Sequence, residues 1–213
     1  FNNFPHSGST DLRGFWKSSL TAAVLARELA KKLEYPQLEE AYLAGLLHNV
    51  GRLALLATAP KEYAFNFSAR DDEDLCAVEQ RTLQITHSEA GAWLVERWQL
   101  DSFLADAVLY HHEPSSRLAH AHPLIRIVRM AHLLSLHDID EAEVQGALGL
   151  CGLDEDDVAR MLALADPSVR AELRRGAEEQ GAGPLKALTR WGQVRVAETF
   201  TTSTGKPKTS ATT

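Results

Sequence analysis

Imidazole readily binds transition metals and relays protons near neutral pH, and the chain carries nine histidines whose positions matter more than their number. His48, His87, His111 and His112 stand at expected helix termini, beside the most apolar segments. Helix ends are where side chains from different helices can converge on one point. His111 and His112 are neighbours, about 100° apart around a helix axis, so both reach a common site only from the helix end. The plain alternative is that each is a hydrogen-bonded core or capping residue. The stretch "AGLLHNVGRLALL", residues 44–56, poses that choice, because His48 and Asn49 interrupt an apolar run just before Gly51. The pair is either a satisfied polar spot in the core or the remnant of a His-Asp grip on a metal. His6, His120, His122 and His137 fall in polar loops or at element ends and read as solvated surface groups.

Helices must position these side chains, because the hydrophobic periodicity is helical nearly throughout. Trp16, Leu20, Ala23, Val24, Leu29 and Leu33 recur at three- and four-residue spacing up to a stop at Tyr35-Pro36. A second helix starts near Pro36, runs through Leu38, Tyr42, Leu46 and Leu47, and breaks around Asn49-Val50-Gly51. A short helix, "RLALLATA", ends at Pro60, and the polar turn "SARDDEDL" leads into a further helical stretch up to about Leu83. Thr86 with Glu89 three residues later makes a capping box, which puts His87 in the first turn of its helix. Asp101 as N-cap and Pro114 as stop place His111 and His112 in the final turn of theirs. Pro123 takes the first position of the helix that carries His132. Helical stretches over 141–150 and 155–165 precede a weaker one near 168–179, and "TTSTGKPKTSATT" reads as a disordered tail. Trp93, Leu94, Trp98 and Leu100 form a helical apolar face that reads as core, with the alternative that part of it is exposed where a preceding helical half docks. No run of alternating β-branched residues competes, so the expected fold class is all-α.

The acidic balance, a net charge of -7 with a pI near 5.7, leaves no basic footprint for nucleic acid and disfavours anionic membranes. His48, Asn49 and Arg52 lie inside the most apolar stretch, 41–59, which excludes a membrane span there. Cys76 and Cys151 lack CxxC spacing and read as reduced thiols of a cytoplasmic protein. The opening "FNNFPHSGST" lacks the order of a signal peptide and reads as a loop entered in mid-protein. There is no GxxxxGK[ST], HExxH or GxSxG, and "RDDEDL" lacks the glycine of a calcium loop.

The ordered blocks "FWKSSL", "AGLLHNVGRL", "HSEAG", "RWQL", "YHHEP" and "RMAHLL" resemble the HD superfamily of metal-dependent phosphohydrolases. The closer match is its HDOD branch, the HD-related output domains of bacterial signalling proteins. The resemblance covers roughly residues 15–140 and implies an HD-like helical bundle. It also implies a further helical half before this point in the chain. In catalytic relatives two histidines, the motif aspartate and a distant aspartate bind a divalent metal. Those positions fall here on Ser18, His48, Asn49 and His132. His48 alone survives of the quartet. A neutral Asn49 cannot offset the charge of a hard cation as a carboxylate does, and Ser18 is a poor ligand, although His132 suits zinc or iron. The resemblance matches His87, His111 and His112 to second-metal or phosphate-contacting positions.

The expected organisation is a lead-in loop over 1–14, an HD-like helical core over 15–140, a helical extension over 141–198 and a disordered tail over 199–213. The site reads as degenerate, with no catalytic residue and no cofactor expected. His48, His87, His111, His112 and His132 are the residual metal candidates, and a divalent Fe, Mn, Mg or Zn ion is the alternative. The expected function is a non-catalytic signalling output domain. It would act through a signalling protein partner or an attached sensor or receiver in the cytoplasm, without nucleic acid or membrane. The alternative is a phosphohydrolase acting on a nucleotide or cyclic dinucleotide with an altered ligand set, in a pocket that still takes an anion.

Overall fold

The computed structural model describes residues 12–67, 73–100, 102–136 and 141–165, which form ten α-helices and one 3-10 turn with no strand among them. The helices are α1 (Leu12–Lys32), α2 (Leu38–Leu47), α3 (Val50–Thr58), α4 (Pro60–Phe67), α5 (Glu73–Leu83), α6 (His87–Arg97), α7 (Ser102–Leu109), α8 (Pro123–Ser135), α9 (Glu141–Cys151) and α10 (Glu155–Ala165). The 3-10 turn, Ser115–Arg117, lies between α7 and α8.

Helix α8 is buried nearly all round, its Arg129 and His132 included. Helices α1, α2, α7 and α9 pack against it, and α10 packs on α1. Leu25 and Leu29 of α1, Val108 of α7 and Ile127 and Met130 of α8 form the main core. Each such side chain contributes roughly 1.5–3 kcal/mol by leaving water. Val144, Leu148, Val158 and Leu162 belong to that same cluster, so α9 and α10 are continuous with the core to which 15–140 was assigned. A second cluster, built on Leu55, Leu56, Tyr63 and Phe67, lies under α3 and α4.

Two glycines set how closely helices meet. A Cβ at Gly45 would come within 2.7 Å of the Ala22 carbonyl oxygen and 2.9 Å of Ala26 Cβ, so α2 lies directly on the small-residue stripe of α1. A Cβ at Gly51 would sit 1.8 Å from the His87 carbonyl oxygen and 2.6 Å from Gly91 N, so α3 touches α6 backbone to backbone. The break at His48-Asn49 redirects the chain from the first contact to the second.

Several elements depart from the sequence reading. The short helix does end before Pro60 as read, but Pro60 also opens a further helix, α4, because a proline at the first helical position loses no hydrogen bond. Helix α1 begins at Leu12, inside the segment assigned to a loop. Trp93 and Trp98 are exposed, and α6 buries its small face instead, through Ala90, Gly91, Ala92 and Val95. Asp101, His6, His137, the stretch 168–179 and the tail 199–213 lie outside the described residues.

Candidate functional site

His48 follows the last turn of α2, and its Nδ1–H donates to the Gly45 carbonyl at 2.7 Å. A carbonyl only accepts, so Nδ1 carries the proton and Nε2 is the basic nitrogen of the neutral ring. His111 repeats the arrangement, its Nδ1–H donating to the Val108 carbonyl at 2.6 Å. His111 and His112 lie just past α7, which ends at Leu109, not in its final turn as expected; the turn 110–112 swings both rings across the helix end. His132 reaches in from the last turn of α8. The rings of His48, His111 and His132 form a near-equilateral triangle, with centroids 5.2, 5.2 and 5.0 Å apart. His112 lies 4.2 Å from His111 and 4.7 Å from His132, and His87 lies 4.9 Å from His112.

The structure thus gathers all five residual candidates into one cluster. Four of them, His48, His87, His111 and His132, are fully buried or nearly so. Burial first, and then the neighbouring imidazoles, hold His111 well below the usual histidine range, so it is neutral at physiological pH. No hydrogen-bond partner meets its Nε2 among the described residues.

Glu79 of α5 organises the rim of the cluster and was missed in the sequence. It is fully buried, and its Oε2 accepts both the His87 backbone N–H and the His87 ring Nδ1–H, each at 2.8 Å. Its Oε1 accepts the Tyr63 hydroxyl. Burial would raise this carboxyl, but the hydrogen bonds and charge of His87 and the Tyr63 hydroxyl outweigh it and hold Glu79 below the ordinary carboxylate range. The left-handed turn at Gln84 (φ 58°) folds α6 back so that His87 meets Glu79. Only the eight-residue interval from Glu79 to His87 could have signalled the pair, and the turn at Gln84 between the two helices breaks any period that would relate them.

With Nδ1 held by Glu79, His87 directs Nε2 to His112 Nε2 at 3.0 Å. The capping box of Thr86 and Glu89 is present, and it fixes the start of α6 where the sequence placed it. The two buried arginines bond backbone carbonyls. Arg52 caps the end of α4 through the carbonyls of Asn66 and Phe67, at 3.2 and 2.8 Å. Arg129 bonds the His111 carbonyl and Glu143, each at 3.0 Å. His122, expected on the surface, is half-buried and stacks on Phe103 with ring centroids 3.8 Å apart. An open pocket of about 490 Å³ borders the cluster on the side of Cys76, Thr86, Ser88, Tyr110, His112 and Arg117.

The six sequence blocks and the convergence of their histidines agree with a direct comparison: the HDOD-domain family profile matches residues 1–114. The chain belongs to the HDOD family. Among solved structures it is similar to the MmoQ response regulator of Methylococcus capsulatus, at 28% identity and a TM-score of 0.58, over 72% of this chain and 61% of that one. It is similar to a candidate phosphohydrolase from Shewanella amazonensis, at 25% identity and a TM-score of 0.58, over 74% of this chain and 61% of that one. An uncharacterized protein of Treponema pallidum is 23% identical over 130 residues, 60% of this chain. The HDOD chain spans 25% of that relative's length and 61% of the response regulator's. It is a signalling-related, HD-like, all-α domain, and no helix among the described residues is long and apolar enough to cross a membrane.

The HD superfamily implies a divalent metal, and the residues at the four matching positions do not fit it. Ser18, His48, Asn49 and His132 supply no carboxylate. Glu79, the carboxylate that touches the cluster, is committed to Tyr63 and His87. Neutral nitrogens and an amide oxygen offer a hard dication neither charge compensation nor its preferred ligands.

Proposed function

We propose that this HDOD domain is a non-catalytic output element of a cytoplasmic signalling protein, working through contact with a signalling partner or an attached regulatory domain. The observation that carries this reading is the chemistry of the quartet. Phosphoester hydrolysis at neutral pH calls for a metal-activated water and positive charge on the phosphoryl oxygens. Asn49 and His132 stand where the two anionic ligands of such a metal would be, and Ser18 stands where a histidine would be. Arg52 and Arg129 commit hydrogen bonds to backbone carbonyls, those of Asn66, Phe67 and His111, and Arg129 also pairs with Glu143, which leaves both poorly placed to clamp a phosphoryl group. What remains is a polar, hydrogen-bonded knot tying the ends of α2, α6 and α7 to α8.

The test is turnover of a generic phosphodiester and of cyclic dinucleotides with Mg²⁺, Mn²⁺ or Fe²⁺. Wild type is expected to show none. The triple variant Ser18→His, Asn49→Asp, His132→Asp should bind Mn²⁺ measurably better than wild type. Wild-type turnover abolished by His48→Ala would transfer the assignment to a phosphohydrolase with an altered ligand set.

A further inference from the structure

One thiol lies where the sequence gave no reason to place it. Cys76 is on α5, one helical turn before Glu79, and offers its sulfur to the same rim of the cluster. The sulfur and one ring nitrogen each from His87 and His112 all lie within 4.8 Å of one another. Two of those rings already share a proton between Nε2 atoms 3.0 Å apart. In a tetrahedral site with metal–nitrogen bonds of about 2.0–2.1 Å, two nitrogen ligands sit roughly 3.3–3.4 Å apart, so an ion replaces that proton with little movement.

From this geometry we infer that Cys76, His87 and His112 form a binding site for a borderline-soft divalent ion of the zinc class, distinct from the degenerate quartet. The donor set is one thiolate and two imidazoles, which selects zinc over magnesium, calcium or manganese. Glu79 holds the Nδ1–H of His87 at 2.8 Å, which fixes the tautomer with Nε2 as donor and makes the ring more basic. Binding releases the Cys76 thiol proton to solvent, and the proton displaced from between the two Nε2 atoms moves to His112 Nδ1, so both imidazoles bind as neutral rings through Nε2. Cys76 and His112 also line the open pocket, leaving room at a fourth position for water or a small ligand. This goes beyond the signalling reading, which neither needs the ion nor fails without it.

The experiment uses the full chain, stripped of metal under reducing conditions and titrated with Co²⁺ as the spectroscopic substitute for zinc. One equivalent should produce a near-ultraviolet thiolate-to-cobalt charge-transfer band, and one equivalent of Zn²⁺ should bleach it. The band should vanish in Cys76→Ser and Cys76→Ala and persist in Cys151→Ser, with helical circular dichroism unchanged in all three. Zinc should raise the Tm of wild type and leave that of Cys76→Ser where it was. A wild-type titration without the thiolate band, or a band that survives loss of Cys76, overturns the site.

Discussion

Replacing Gly51 with alanine should be the most damaging single-methyl addition in the domain. The new Cβ would lie 1.8 Å from the His87 carbonyl oxygen, 2.8 Å from the His87 carbonyl carbon and 2.6 Å from Gly91 N. Ordinary contact begins near 3.4 Å, so α3 and α6 must part by roughly 1.6 Å along the first of these lines. All three atoms are backbone, and no rotamer change relieves them. Overpacking a core costs typically about 1–3 kcal/mol and occasionally more. A rigid clash of this size belongs at or above the upper end, about 3 kcal/mol, which is more than a hundredfold in the folding equilibrium. In a chain of this length that corresponds to a Tm lower by about 6–12 °C. Gly149→Ala is the matched control, because its Cβ would enter open space on α9 and gain up to about 1 kcal/mol of helix propensity. Urea unfolding followed by circular dichroism measures both. If Gly51→Ala falls within 1 kcal/mol of wild type, the close approach of α3 and α6 is wrong.

Two further perturbations probe the buried polar network. Glu79→Leu leaves the Tyr63 hydroxyl and both His87 donors buried without their acceptor and should cost about 3–5 kcal/mol, whereas Tyr63→Phe should cost about 1 kcal/mol; equal losses in urea titrations would contradict the shared carboxylate. His111 is held neutral in the fold, while the unfolded chain takes up its proton near pH 6.5. Its contribution is therefore complete above that pH and is lost as pH falls below it, by up to about 1.4 kcal/mol per pH unit. Glu79, depressed below 4.5, adds a second loss in more acidic solution. A urea midpoint constant from pH 7.5 to 5.5 would show that His111 titrates normally.

The all-α class and the order of helices were legible because caps and breaks are local. Thr86 with Glu89 and Pro123 at the start of α8 marked helix starts, and Asn49 after His48 marked a change of direction. The convergence of His48, His87, His111 and His112 was expected from their places at helix ends, and His132 joined them through the family resemblance. What escaped were contacts that have no period. Glu79 and Cys76 sit on a polar amphipathic helix whose pattern is ordinary, and only the return of α6 beside α5 turns them toward His87. Trp93 and Trp98 misled in the opposite direction, because large apolar residues at helical spacing look like core. The close approach set by Gly51 and Gly91 allows only a small-residue face against α3. Pro60 was ambiguous in principle, since proline both follows helices and begins them.

Of the five clustered rings, His112 is the one with solvent-accessible surface among the described residues, while the others sit at 0–1% exposure. A solute arriving from water therefore meets the cluster at His112, and the other four rings are shielded behind it, so the cluster presents a single imidazole to the outside of the domain.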